Sequence, residues 1–426
     1  MARRLWTLLL WSAAAGAAGA TGAAGAADME DDDSAALALP SAQVAPAASA
    51  RTTSLTLEAV ETAAAQLYGP EQEAQRVSAD ARYDSAVATG WRAIVAARLD
   101  ADWANRFDTL QETGTLKEAY LSWQPQPSLL LDAGRINGRQ GVAYGYNPTD
   151  FFRTDAVRSI VSIDPNSLRD NRLGTVMLRG QQLWDSGALS VVYAPRLTDH
   201  ASAAPMDPDI GATNARGRWL VSFSQQLATD WKPQWLAFGG EGQQPQLGVN
   251  LTALLGQSMV AYAEVSGGRS SSLWAQALDL PRTDSWRSRA ATGLTYSTAS
   301  KLSLTLEYEY DGAGLGTIAW DAARFGALPR YGRYREYALA QQDTATRSNL
   351  FLYATWQDLI VRHLDLSAFL RQDLADHSRL PYLELRRHWT AFDLALRWQD
   401  AWGDSTSDYG ASPQRQAWQF VIDYYL

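Results

Sequence analysis

Three groups of residues in this chain carry side chains able to do chemistry. His363 and His388, two of only four histidines, are expected as inward-facing neighbours near Asp365 and Glu384. Two imidazoles fall short of the three or four ligands a zinc site takes, so no metal is assigned. Cysteine is absent, which removes disulfides, thiolate centres and a cysteine nucleophile. No nucleophile elbow or phosphate-binding loop stands in a fitting context, so no catalytic residue is assigned and no cofactor is expected. The second group is RYGRYREY, Arg330 to Tyr337, whose interleaved guanidinium and phenol groups suit stacking on sugars or gripping phosphates. Its plainer reading is a solvated loop. The third group is charge at alternate positions: Arg92, Arg98, Asp100 and Asp102 in one stretch, Glu307 and Glu309 in another, then Arg371 and Arg397.

Charge at every second residue needs a strand to present it. In GWRAIVAARLDADWAN, Gly90 to Asn105, the residues Trp91, Ala93, Val95, Ala97, Leu99, Ala101 and Trp103 form one apolar face and the charged residues lie on the other. At about 3.4 Å per residue and a tilt near 45°, Trp91 to Trp103 projects to roughly 29 Å, the apolar thickness of a membrane plus part of its interfaces. Tryptophan at both ends fits those interfaces, where an apolar ring with a polar N–H is stable. A strand of a soluble sandwich would share the alternation, so the remainder of the chain must decide.

From Thr52 onward alternating segments follow almost continuously. LSLTLEYEYD, Leu302 to Asp311, is as clean as the first example. About eighteen such segments (range 16–18) are expected between residues 51 and 426. Their connections are predicted to alternate strictly between tight turns, such as QPQPS, DSG and TASK, and longer loops, above all Asn137 to Arg172, Pro195 to Gly217 and Gly312 to Thr344. Turns at one end and loops at the other predict an all-β fold, a transmembrane up-and-down antiparallel β-barrel. The same count places Trp91 at one rim and Trp103, Trp219, Trp398 and Trp418 at the other, as interface aromatics.

Residues 1–27 have the form of a secretory leader, with Arg3 and Arg4 before the short apolar run LWTLLLW and an Ala/Gly-rich end. Residues 28–50 read as a disordered acidic and Ala/Pro-rich lead. Of the 37 basic residues, 35 remain without Arg3 and Arg4, against 46 acids. That balance argues against nucleic acid as a partner.

The final stretch, WQFVIDYYL, alternates Trp418, Phe420, Ile422, Tyr424 and Leu426. It resembles the terminal strand of bacterial outer-membrane β-barrel proteins, although Leu426 stands where that family typically has phenylalanine. GRINGRQGVAYGYNPTDFFR, Gly134 to Arg153, is similar to a stretch of porin-like outer-membrane proteins. The resemblance implies a Gram-negative outer-membrane location and contact with outer-membrane lipid and lipopolysaccharide. It also implies insertion by the barrel-assembly machinery, assembly as a homo-oligomer as one option, and a channel for passive diffusion of small hydrophilic solutes.

On that reading the pore is lined by Arg92, Arg98, Asp100, Asp102, Glu307, Glu309, Arg371 and Arg397. The lining is mixed in sign, with many charges expected to pair across strands. Loop 137–172 is the expected constriction, its equal alternative being a cap over the outside or a contact with a neighbour: Phe151, Phe152 and Ile160 call for burial, and as a constriction it places Arg135, Arg139, Asp150 and Arg153 near the narrowest point. The alternatives are an exporter of a secreted polymer such as a polysaccharide, or a plugged barrel acting as an adhesin or outer-membrane hydrolase.

Overall fold

A strand with one polar and one apolar face is stable only where each face meets its own kind of medium, and a barrel provides this without leaving a sheet edge. In the computed structural model, which describes residues 52–104, 109–228 and 231–426, the chain does this with eighteen strands. The predicted leader 1–27 and lead 28–50 lie outside the described residues. The strands are β1 (Thr52–Gln66), β2 (Gln72–Ala88), β3 (Trp91–Ala104), β4 (Thr109–Gln126), β5 (Leu129–Ile136), β6 (Thr175–Trp184), β7 (Gly187–Ala194), β8 (Arg218–Gln225) and β9 (Gln234–Gly240). They continue as β10 (Gln243–Leu255), β11 (Met259–Ser270), β12 (Ser285–Ser297), β13 (Leu302–Asp311), β14 (Ser348–Trp356), β15 (Leu364–Asp373), β16 (Arg379–His388), β17 (Phe392–Asp400) and β18 (Gln414–Tyr425).

Every strand pairs antiparallel with its sequence neighbours, and β1 pairs with β18 to close the ring. On β3, Arg98 and Asp100 are 5% and 2% exposed while Val95 and Leu99 between and beside them are 45% and 50% exposed, so the predicted faces are inner and outer walls. Outside, at the end that carries β1's first residue, Trp91 and Trp123 stack at 5.4 Å. At the opposite end Trp398 and Trp418 lie 6.3 Å apart, Trp219 covers the bare backbone of Gly239, and Trp103 is half-buried.

Two expectations need correction. The connections do not alternate strictly: β9 and β10 are joined at the long-loop end by Glu241 and Gly242 alone, and β1 and β2 by residues 67–71. A tight turn serves wherever neighbouring strands end level, at either end of the barrel. The long connections are also not all loop. They hold α1 (Pro165–Asp170), α2 (Ile210–Thr213), α3 (Leu273–Ala277), α4 (Thr317–Arg324) and α5 (Leu328–Gln341). In α5, Tyr331, Tyr334 and Ala338 recur at helical spacing and are buried against Trp320 and Leu273. The Arg330 to Tyr337 stretch therefore turns its aromatic rings inward, as the core of a cap over the mouth. Arg335 donates to the Ala411 and Asp408 carbonyls of the last long connection.

Gly134 sits in β5 with φ +137°, and a Cβ there would collide with the Ala119 carbonyl oxygen and the Tyr120 backbone. Gly134→Ala should lose about 2–4 kcal/mol in urea unfolding of the refolded barrel. Gly180→Ala, where a Cβ meets only Leu131 at 3.5 Å, should change stability by less than about 1 kcal/mol.

Candidate functional site

The connection between β5 and β6, residues 137–174, leaves the rim and runs along the inner wall. What holds it there is a set of backbone amides. A loop has no ladder partners for its N–H groups, and in a dry interior each must find an acceptor. Five consecutive amides find theirs on two wall carboxylates. Glu264 of β11 accepts from Val142 N at 2.8 Å and Ala143 N at 3.1 Å. Glu307 of β13 accepts from Tyr144 N at 2.8 Å, Gly145 N at 3.1 Å and Tyr146 N at 3.0 Å. Glu264 also takes the Thr149 amide at 2.6 Å and hydroxyl at 2.8 Å, and Glu307 takes the Tyr262 hydroxyl at 2.6 Å. Gly141 makes the approach feasible: its φ is +96°, and a Cβ would run into the Glu264 carboxylate.

Beyond this anchor the loop crosses the lumen. Phe151 stacks on Phe238 of β9 at 4.5 Å, and Phe152 meets the same ring edge-on at 6.0 Å. Further along, the Val161 carbonyl accepts from Arg76 of β2 at 3.0 Å and from Arg397 of β17 at 3.4 Å. Ser162 reaches Tyr382 of β16 at 3.1 Å, and Tyr353 of β14 donates to Asp164 at 3.2 Å. Asp164 also caps α1 through the Asn166 and Ser167 amides. The two limbs are tied by Arg172, which bonds Asp150 at 2.7 Å, Asn137 at 2.7 Å and the Gly138 carbonyl at 2.8 Å. Arg153 joins the loop to the cap by pairing with Asp343, which also pairs with Arg289 of β12 at 3.3 Å.

The inner faces of β2 to β6 are left uncovered over part of their length and bound a cavity of about 410 Å³. It is edged by Asn137 and Arg139 of the loop and walled by Arg82, Arg92 and Arg179 with their acidic partners.

The residues predicted from sequence fall into different settings. Arg92 lies in the cavity wall and holds Asp84 through two N–H groups. Arg98 is buried between Glu58 at 2.6 Å and Asp100 at 2.8 Å, and Asp102 is half-buried opposite Arg76 in the β2–β3 register. Glu307 and Glu309 face inward but are fully buried beneath the loop, Glu309 pairing with Arg371 at 3.2 Å, while Arg371 also donates to the Gly145 carbonyl. Arg397 pairs with Glu384. Of the loop residues, Asp150 and Arg153 sit inside the barrel and Arg139 pairs with Asp170 at the cavity edge. Arg135 is set apart from them. It projects from the face of β5 opposite Asp132, and its guanidinium is taken up by the carbonyls of Gly174, Pro208 and Asp209.

His388 lies between Asp393 at 2.8 Å and Asp365 at 3.3 Å, and His363 adopts φ 64° in the adjoining turn. Sequence reasoning missed Asp343 and the part played by Arg82, Glu118 and Tyr120. The last three share the inward parity of Asp84 and Arg92, in a stretch of β2 to β4 whose register is unbroken.

Two outcomes are expected. Glu264→Gln replaces one acceptor oxygen with a donor facing amides, so amides 142–149 should exchange hydrogen faster and stability should fall by about 2–4 kcal/mol. Asp343 feels burial pushing its pKa up, but Arg289 and Arg153 outweigh it and hold the carboxyl below its ordinary 3.8. A depressed acid stabilises fully above its unfolded pKa and loses that contribution as pH falls through the folded one. Exchange in residues 150–156 should therefore rise only below about pH 3.8, and Asp343→Asn should remove that step.

No protein-family model and no curated protein matches the sequence. Solved structures match in fold. OccK5 (OpdH) of Pseudomonas aeruginosa aligns with TM-score 0.55 at 9% identity, over 88% of this chain and 98% of that one. OccAB4 of Acinetobacter baumannii gives 0.52 at 10%, over 89% and 98%, and P. aeruginosa OccK2 (OpdF) in complex with glucuronate gives 0.52 at 12%, over 88% and 98%. In architecture the chain thus resembles the Pseudomonas OccK/Opd porins, as an eighteen-stranded closed antiparallel barrel.

Proposed function

We propose that the protein is a bacterial outer-membrane channel through which small hydrophilic solutes diffuse passively, narrowed by loop 137–174. The observation that carries this reading is the incomplete filling of the barrel. The loop is fastened to the inner faces of β9, β11, β13 to β17 and, through Arg76, β2, while lower on β2 to β6 a polar cavity stays beside it. Pairing of the wall charges supports a path without strong preference for cations or anions. The apolar outer wall with its tryptophans supports a lipid surround, lipopolysaccharide at the long-loop end and delivery by the barrel-assembly machinery. A homo-oligomer would bury part of that wall.

OccK2 is described in complex with glucuronate, which makes a sugar acid a fitting member of any panel of test solutes for this chain. A plugged barrel acting as adhesin or hydrolase is the second reading, favoured by how much of the interior the loop and the cap occupy.

Planar-bilayer recording on the mature chain and on a variant lacking residues 140–165 tests the proposal. The full chain should conduct and the deletion should conduct more. Equal conductance would remove the loop as a constriction, and a silent chain would select the plugged barrel.

A further inference from the structure

The cavity between β2 and β6 has a layered wall. One inward rung, following the strand register, is Arg92, Ser122, Asp132 and Arg179. The next rung, about 7 Å along the strands, is Ile94 beside Tyr120. The rung beyond holds Arg82 and Glu118, both in register with Ala96. Two charged rungs thus flank an apolar one, in which the half-buried Tyr120 stands in register with Ile94 and packs against the cluster that includes Ile136, each isoleucine 2% exposed.

The charges are committed to each other. Arg92 and Arg82 share Asp84 at 2.7 and 3.3 Å, Arg82 also holds Glu118 at 2.6 Å, and Arg179 holds Asp132 at 2.8 Å. Each guanidinium already has a carboxylate beside it, Arg139 at the rim having Asp170, so a free anion or cation competes with a partner in place and gains little net Coulomb attraction. A hydroxyl faces no such competition. It donates to a carboxylate lone pair and accepts from a neighbouring guanidinium N–H, and both are offered side by side at each pair.

We infer that the cavity is a binding site for neutral, ring-shaped polyhydroxylated solutes of the monosaccharide class, and that it disfavours their carboxylate counterparts. A pyranose has apolar C–H faces and a rim of hydroxyls, which is the pattern of this wall: Tyr120 takes the face, and the rungs at Arg82 and Arg179 take the rim. At about 410 Å³ the cavity falls within the size range of small-molecule sites, about 300–1,000 Å³. One such ring fits with solvent to spare. This inference rests on the channel reading above and adds the solute class to it.

Glucose and glucuronate share a ring and differ by one carboxylate, so they are the probes. Added separately to the mature protein in a planar bilayer, glucose should interrupt the ion current at about tenfold lower concentration than glucuronate. Tyr120→Leu keeps apolar bulk without the ring and should weaken the glucose effect about tenfold. Asp132→Asn/Arg179→Gln, which removes one charge pair and leaves shorter, neutral polar side chains, should weaken it as well. A conducting chain on which glucuronate acts as well as glucose, or one in which Tyr120→Leu responds like wild type, overturns the inference alone. A wild-type chain that does not conduct overturns the channel reading and this inference with it.

Discussion

The interior of this barrel depends on an exchange between two groups that are each unstable alone. A carboxylate in a dry wall has lost its water, and a run of loop amides has no ladder to join. Glu264 and Glu307 bring the first problem, and residues 142 to 146 bring the second. Each solves the other, with charge-assisted bonds in a low-dielectric setting where such bonds are strongest. Once this first limb is fixed, the remaining contacts follow from reach. The phenylalanines arrive at β9, Val161 arrives at Arg76 and Arg397, and Arg172 fastens the returning limb. The path of the first limb follows the strands that carry the two glutamates, β11 and β13.

The same exchange separates what was legible in the sequence from what was not. A period of two is a property of the strand itself, so Trp91 to Trp103 and Leu302 to Asp311 disclosed their faces directly, and repetition of that pattern disclosed the barrel. Parity alone put Glu307 on the inner wall. It could not tell a glutamate in water from one covered by a loop far away in the chain, because the covering groups are backbone amides and those have no residue type. Arg135 shows the converse limit. It stands in a loop-flanking stretch rich in arginine, yet its partners are carbonyl oxygens of residues 174, 208 and 209, which no side-chain pattern announces. The cap was hidden for a different reason. Tyr331, Tyr334 and Ala338 do recur at helical spacing, but among long connections a fourteen-residue helix is easily passed over. The two-residue link at Glu241 and Gly242 failed expectation because loop length records where strand ends happen to fall.

Charge in the lumen is organised at short range. Arg98, Arg76 and Glu58 form one knot, Arg386 with Glu384 and Asp423 another, and Arg289 with Asp311 and Asp343 a third. Each joins two or more strands, so the knots stiffen the wall as well as neutralise it. The third reaches out of the wall into both the loop and the cap. Movements of these two segments are therefore coupled through Asp343, and neither can leave the interior without unpairing a buried charge.

The seam between β1 and β18 bears on how the molecule comes to exist. Val60 lies opposite Val421 in the register, about 360 residues away along the chain. Until β18 is in place, β1 presents an unpaired edge and the inner wall has no closed shape for the loop to brace against. Hairpins such as β2 with β3 need only local contacts, whereas closure joins the two most distant segments of the sheet, and contacts of that kind form slowly. The fixed shape of the inner wall thus depends on a contact between the first and last strands of the sheet, the pair that lies farthest apart along the chain.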